Sequence, residues 1–294
     1  MSTELSFTKG HGTGNDFVIV SDPDGALDLS ANLVRALCDR HFGIGGDGVL
    51  RVVRTERATQ APDFSVVAES GGPEWFMDYR NADGSLAQMC GNGIRVFARF
   101  LVDRGLARPG RMDIGTRGGI RVVHVPPGGD ISVDMGAPDD SFPDRVRVLL
   151  AGRTYEAHGL GMPNPHAVVT MDSLAVLPEQ LPEPQVDEVD FPEGVNVEFV
   201  EVLEEGRAIR MRVYERGAAE TMSCGTGACA AAVVMARRWG LRAEEPIRVE
   251  VAGGSLDISL VPGGSVRMSG PAELVADGRM SAAWLDEATD GVGL

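Results

Sequence analysis

"MCGNGIRVFARFL" (Met89–Leu101) and "SCGTGACAAAVVM" (Ser223–Met235) spell nearly the same phrase twice: a cysteine, then Gly-x-Gly, then an apolar run at helical spacing. The likeness extends upstream. Tyr79 opens "YRNADGSLAQMC" and Tyr214 opens "YERGAAETMSC", so in each half a strand enters a turn that delivers a cysteine to a helix N-terminus. A repeat of this kind in 294 residues predicts two domains of similar size, related by pseudo-twofold symmetry with the two helix starts facing each other. In the first helix Ile94, Phe97, Ala98 and Leu101 fall on one face, which predicts an apolar stripe. The second is apolar on nearly every side from Ala228 to Ala236, which predicts burial all round.

Outward from these phrases, "LSFTKGHGTGNDFVIVSD" alternates as strands broken between Gly10 and Asn15, and a helix is expected over Ser30 to Arg40. Gly43, Gly45 and Gly48 in "HFGIGGDG" match the spacing of a dinucleotide fingerprint. Here, however, the helix precedes and the strand follows, the reverse of what that motif needs, so the segment reads as a tight turn. Residues 56–74 read as a turn-rich hairpin, and "MDIGTRGGIRVVHVPPGGDISVDMG" reads as short strands, with the linker between halves near 126–138. The second half repeats the plan. It has strands near Arg145 to Gly152, a loop "GMPNPHAVV", a Pro-rich acidic stretch from Leu177 to Pro192, and strands "GVNVEFVEV" and "AIRMRVYERG". The cysteine helix and closing strands follow. The expected domains are 1–131, carrying Cys90, and 132–270, carrying Cys224, with 271–294 returning to the first.

Composition removes several classes of function. A net charge of −16 and a pI near 4.7, with no basic cluster, argue against a nucleic-acid partner. With 43% hydrophobic and 24% charged residues the chain has material for true cores. No apolar run approaches the roughly 18 residues of a membrane span, and the opening lacks a basic segment followed by an apolar core, so a cytoplasmic protein is expected. Lys9 is the only lysine, which argues against pyridoxal phosphate, a cofactor held as a lysine Schiff base. Cys38, Cys90, Cys224 and Cys229 form no C-x-x-C pair and lack a nearby His-x-x-x-His, so no metal site is expected, and the thiols are expected free in a reducing compartment.

A cysteine at a helix start lies beside unsatisfied backbone N–H groups and the positive end of the dipole, which favours the thiolate and pulls the pKa from about 8.5 toward neutrality. The Gly-Asn-Gly and Gly-Thr-Gly that follow leave amides open to a carboxylate. Two such sites acting on one α-carbon would let one thiolate remove a proton while the opposite thiol delivers one, inverting a stereocentre with no cofactor. The alternatives are two buried packing residues, or a reversible Cys90 to Cys224 disulfide acting as a redox switch. Cys38, within an ordinary helix, and Cys229, a turn inside its helix, are assigned to packing.

Six ordered stretches, "HGTGNDFVIV", "RHFGIGGDGVL", "YRNADGSLAQMCGNGIRVFARFL", "GMPNPHAVV", "GVNVEFV" and "YERGAAETMSCGTGACAAAV", give the chain a resemblance to the diaminopimelate epimerase family over nearly its whole length. The resemblance implies an α/β (α+β) fold of two pseudo-symmetric domains, each a mixed, largely antiparallel sheet wrapped around a central helix. It also implies cofactor-free interconversion of LL- and meso-diaminopimelate for lysine and peptidoglycan precursors. Carried onto this sequence, it makes Cys90 and Cys224 the acid/base pair, with His166 and Glu215 tuning the thiols. Gly91, Asn92, Gly225 and Thr226 would offer amides to the reacting carboxylate. Asn15, Asn81, Asn164, Asn196, Glu215 and Arg216 would receive the rest of the zwitterion, Arg216 gripping a carboxylate. The partner implied is the small-molecule substrate, with no nucleic acid or membrane, and a second copy of the chain in a homodimer. His166 otherwise reads as a loop histidine capping the Pro163 to Pro165 turn, and His11, His41, His124 and His158 are left as structural. Gly48 stands where some family members carry glutamine. The nearest rival is a proline or hydroxyproline racemase, which shows a histidine after the first C-G where this chain has Asn92. A rival of another class is a binding or redox-sensing protein that holds a carboxylate without turnover.

Overall fold

The computed structural model describes residues 4–58 and 72–290. The chain opens with β1 (Leu5–Gly12), β2 (Asn15–Ser21), α1 (Ala31–Cys38), β3 (Gly48–Arg54), β4 (Trp75–Asn81), α2 (Gly91–Asp103), β5 (Gly110–Thr116), β6 (Gly119–Val125) and β7 (Ile131–Asp134). It continues with β8 (Val146–Leu150), β9 (Arg153–Gly161), β10 (Pro165–Met171), β11 (Gln185–Val186), β12 (Asn196–Glu204), β13 (Ala208–Glu215), β14 (Ala219–Thr221) and α3 (Gly225–Trp239). It closes with β15 (Ile247–Val251), β16 (Gly254–Leu260), β17 (Val266–Gly270), β18 (Glu273–Met280) and α4 (Ala282–Asp290). Two compact units result, Met1–Val133 together with Pro271–Leu294, and Asp134–Gly270. Among the described residues no helix is long and apolar enough to cross a membrane. Most of the hairpin expected at 56–74 lies outside the described residues.

The units repeat one pairing pattern. In the first, β18–β1 and β1–β2 are antiparallel, β2–β3 parallel, β3–β4 antiparallel, β4–β5 parallel, then β5–β6 and β6–β7 antiparallel. In the second, β8–β9 and β9–β10 are antiparallel, β10–β12 parallel, β12–β13 antiparallel, β13–β15 parallel, then β15–β16 and β16–β17 antiparallel. The mixed, largely antiparallel sheets implied by the resemblance are present, and the reason is visible in the connections. Adjacent antiparallel strands need only tight turns, whereas each parallel step needs a crossover. α2 is the crossover from β4 to β5 and α3 the crossover from β13 to β15. The two-residue turn between β1 and β2 uses Thr13 (φ 50°) and Gly14 (φ 79°), both left-handed, the geometry that matches strand twist in a hairpin.

Each sheet curls about its crossover helix. α2 touches β1, β2, β3, β4, β6 and β18, and α3 touches β9, β10, β12, β13, β15, β16 and β17. α3 is buried from Gly227 to Ala236, as its composition indicates; its small side chains let the strands approach. The stripe expected for α2 is corrected: Gly91 through Ala98 are all buried, together with Phe100 and Leu101. Burial on every side includes Arg95, whose guanidinium is satisfied by Gly91 O (3.1 Å), Asn92 Oδ1 (3.0 Å) and Pro271 O (3.3 Å). A further layer covers the outer face of the first sheet, where Leu33, Val34 and Leu37 of α1 pack with Val18, Val20, Val49, Leu285 and Ala288.

The first unit also buries an ionic cluster. Asp78 on β4 accepts from Arg117 and faces Arg80 (3.4 Å) and Arg51 (3.5 Å), while Arg51 pairs with Asp22 at 2.6 Å. Arg117 donates in addition to Tyr79 O (2.8 Å), and its neighbour Gly118 donates to Gln88 O (2.8 Å). The charge cluster thereby braces the loop that leads into Cys90.

Candidate active site

In the first unit Cys90 is the N-cap of α2, extended at φ −137° and ψ 121°, and its Sγ accepts the Gly93 N–H at 3.3 Å. Cysteine thus takes the place that serine or aspartate usually fills at a helix start. Sγ lies 3.5 Å from Asn15 Oδ1, and Asn92 Nδ2 donates to the same oxygen at 3.4 Å. The orientation of Asn15 is set from its other end: its Nδ2 donates to Asp47 Oδ2 at 2.6 Å, and Asp47 is itself paired with Arg40 at 2.8 Å. Asn92 is fixed likewise, its Oδ1 receiving Arg95 Nη2 (3.0 Å) and the Thr13 hydroxyl (3.3 Å). Asn81, at the end of β4, donates to Ser85 Oγ at 2.9 Å.

In the second unit Cys224 is the N-cap of α3, at φ −111° and ψ 113°, and its Sγ accepts the Gly227 N–H at 3.4 Å beside Thr226 Oγ1, also at 3.4 Å. The Glu215 carboxyl receives hydrogen bonds from the Thr221 hydroxyl and from the Cys224 thiol. His166 and Glu198 are both fully buried, with Nδ1 2.7 Å from Glu198 Oε1, and His166 Nε2 lies 3.2 Å from Asn164 Oδ1. Asn196 Oδ1 accepts the Arg216 N–H at 2.9 Å, and the Arg216 guanidinium donates to Glu193 O.

The sheet register explains how residues so far apart in sequence meet. His166 at the start of β10 pairs with Asn196 at the start of β12; antiparallel β13 ends alongside at Glu215, and α3 starts just beyond. The same edge of the first sheet carries Asn15 at the start of β2, Gly48 at the start of β3, Asn81 at the end of β4, and the start of α2. Gly48 therefore occupies the strand position that Asn196 holds in the second unit. A Cβ there would lie 2.5 Å from Arg80 O and 2.6 Å from the Tyr79 ring, so the tyrosine closes the space a longer side chain would use.

Two sequence expectations need correction. His166 lies on a strand rather than in a loop, because β9 and β10 leave only residues 162–164 between them. The helix start was expected to lower both thiols, but the Cys224 thiol is pushed well up. Burial is the largest cause, followed by the Glu215 and Glu198 carboxylates; the Thr226 hydroxyl and Gly227 N–H oppose the rise and lose. Burial raises Glu215 too, against its hydrogen bonds from Thr221 and Cys224. Cys224 is therefore a neutral thiol near pH 7, suited to giving a proton. Cys38 is pushed up to about 12, chiefly by burial, and Cys229 is fully buried inside α3; neither is at a helix start.

Glu198, Arg95 and Asp47 are the residues the sequence reading missed. The available signal was a charge in an apolar context: Glu198 interrupts "VNVEFV", and Arg95 follows the Gly-Asn-Gly turn into a buried helix. Glu198 reaches the start of α3 because residue 227 has no side chain; a Cβ there would lie 2.5 Å from Glu198 Oε1. Gly227→Ala is accordingly expected to overpack the site by about 1–3 kcal/mol. The check is the urea midpoint, which should fall while the far-ultraviolet circular dichroism stays unchanged; an unaltered midpoint would contradict the contact.

A family model described as diaminopimelate epimerase matches residues 7–139 and 159–275. The chain is 47% identical over 293 residues to the diaminopimelate epimerase of Streptomyces coelicolor, covering 97% of this chain and 99% of the relative. It is 42% identical to that of Corynebacterium glutamicum, covering 95% and 99%. Among solved structures, a hydroxyproline epimerase from Agrobacterium vitis superposes with a TM-score of 0.64 at 12% identity, covering 95% of this chain and 91% of the other. A PhzF-family phenazine biosynthesis protein from Bacillus anthracis gives 0.64 at 16% identity, covering 95% and 100%. These two likenesses describe the fold alone. With both cysteine-capped crossover helices inside the matched segments and the likeness running almost from end to end, the chain belongs to the diaminopimelate epimerase family.

Proposed function

We propose that the protein interconverts LL- and meso-2,6-diaminopimelate in the cytoplasm, without a cofactor, one thiol taking the α-proton and the other returning a proton to the opposite face. The observation that carries this reading is the doubled geometry: each unit starts its central helix on a cysteine whose Sγ caps the third residue's N–H. The amides of Gly91 and Asn92, and of Gly225 and Thr226, belong to first turns, where the helix supplies no carbonyl partner, and are assigned to the reacting carboxylate. Charge growing on that carboxylate as the α-proton leaves is met by donors already in place.

Cys224 enters as a thiol, held neutral by burial and by Glu215, which accepts its proton when Cys224 must act as base. Asn15, Asn81, Asn164, Asn196 and Arg216 are assigned to the remaining groups of the substrate, uncharged amides and one guanidinium suiting a zwitterion. His166 is assigned to the reacting centre with the two thiols.

The test is proton NMR of fully reduced protein with LL-diaminopimelate in deuterium oxide, with L-proline in parallel. Loss of the α-hydrogen signal with growth of the meso isomer is expected. Exchange with proline alone would overturn the substrate, and tight diaminopimelate binding with no exchange would overturn the enzyme in favour of a carboxylate-binding protein.

A further inference from the structure

We propose that Glu198 is a positioning residue that holds His166 as a doubly protonated imidazolium. The inference rests on the placement of His166 at the reacting centre proposed above.

Both ring nitrogens of His166 face oxygen. Nδ1 is 2.7 Å from Glu198 Oε1 and Nε2 is 3.2 Å from Asn164 Oδ1, and neither His166 nor Glu198 has exposed side-chain surface. A neutral imidazole has one N–H and one lone pair, so it would turn a lone pair toward one of these acceptors; the imidazolium donates to both. Glu198 in turn needs that cation. A buried carboxylate is stable only if paired, and among the described residues its Oε2 has no hydrogen-bond partner, so Oε1 and His166 carry the pairing. The start of α3 lies against the same carboxyl group, Gly227 making room for it, and the positive end of the helix favours the ionised form.

The other titratable groups near His166 come from the elements packed around β10. β12 contributes Glu198, the end of β13 contributes Glu215, and α3 contributes Cys224 at its start; the Arg216 guanidinium is turned to Glu193 O. Protons are not evenly spread over this set. Glu198 gives its proton up and His166 carries the positive charge, while the Cys224 thiol keeps its own. Fixed positive charge on His166 would favour a carboxylate or thiolate over its protonated form, the charge change an α-proton transfer requires.

The experiment is ¹⁵N-edited NMR of the histidine side chains in the full chain without substrate, with His166 identified by its loss in His166→Gln. In the wild-type protein both His166 nitrogens should resonate as protonated at pH 7.5. In Glu198→Gln one nitrogen should lose its proton at pH 7.5, whereas Glu198→Asp, keeping the charge, should recover part of the doubly protonated signal. A wild-type His166 that is neutral at pH 7.5, or one that stays doubly protonated in Glu198→Gln, would overturn the proposal. The wild-type spectrum decides the charge of His166 even if a variant fails to fold. Since no substrate is present, the result stands apart from the epimerase reading. With diaminopimelate, Glu198→Gln should lower kcat by about tenfold or more and change KM by less than about threefold, since Glu198 acts through His166 rather than on the substrate. A fall confined to KM would overturn the positioning role.

Discussion

Cys90→Ala and Cys224→Ala are each expected to lose about 10³-fold or more of epimerisation, within the range that a general acid or base contributes. Inversion needs a group on each face of the α-carbon, so the remaining thiol can still withdraw a proton but has no opposite partner to complete the turnover. The two variants should therefore form almost no meso product from LL-diaminopimelate, as measured by chiral chromatography alongside deuterium incorporation. Each thiol also caps its helix through Gly93 or Gly227, so alanine removes a cap worth about 1 kcal/mol. The assay must be run well below the melting transition of the variant, where that loss leaves the protein folded. A single alanine variant with a tenth of wild-type epimerisation would refute the two-thiol mechanism.

Asp78→Asn carries the largest expected stability effect. Three buried guanidiniums, Arg51, Arg80 and Arg117, surround this carboxylate; its neutralisation would leave Arg51 paired with Asp22, while Arg80 and Arg117 would keep only the neutral carbonyls of Leu29 and Tyr79 to set against their charge. Removing one partner from a buried ionic cluster costs about 3–5 kcal/mol, and at roughly 2–4 °C per kcal/mol for a chain of this class the melting temperature should drop by roughly 6–20 °C. The pH dependence has a definite sign. Burial alone would raise the Asp78 carboxyl, but Arg117 and Arg80 outweigh it and hold it below the usual carboxylate range. A group depressed in the folded state gives its stability above its unfolded pKa of about 3.9 and loses it as pH falls through the folded value. The gap between wild type and Asp78→Asn in urea unfolding should be full from pH 5 to 7 and close below about pH 4. A gap of under 1 kcal/mol at pH 7 would mean that the guanidiniums find other partners.

The cysteine helices were legible because their signal is local: N-cap, Gly-x-Gly and apolar run are contiguous in each phrase, and α3 followed its composition. What could not be read depends on lateral sheet pairing. Glu198 meets His166 because β10 and β12 run parallel in one register, and nothing near either residue in sequence records it. The upward shift of Cys224 was missed for the same reason, since its helix start argues for a lowered thiol while the opposing carboxylates arrive on β12 and β13. On α2 the 3.6-residue pattern picked out one apolar stripe, since Asn92 and Arg95 interrupt the apolar run with polar side chains. Both are buried, and their polarity serves each other and Gly91 rather than water. At Gly48, where some family members carry glutamine, the Tyr79 ring fills the space, a contact between neighbouring strands that the local sequence does not record.

The pairing of β1 with β18 bears on how the protein is made. Leu5 lies opposite Met280 and His11 opposite Glu273, so the first strand meets one of its two neighbours only after nearly the whole chain has left the ribosome. At about 5–20 residues per second, synthesis of the intervening stretch takes on the order of ten seconds to a minute. Throughout that time the nascent N-terminal half carries an open strand edge and an α2 still without its β18 neighbour, whereas Asp134–Gly270 emerges as one uninterrupted stretch and can close first. The half synthesised first is thus the half completed last, and during translation it is the part of this protein whose unpaired strand edge stays open longest to a neighbour's.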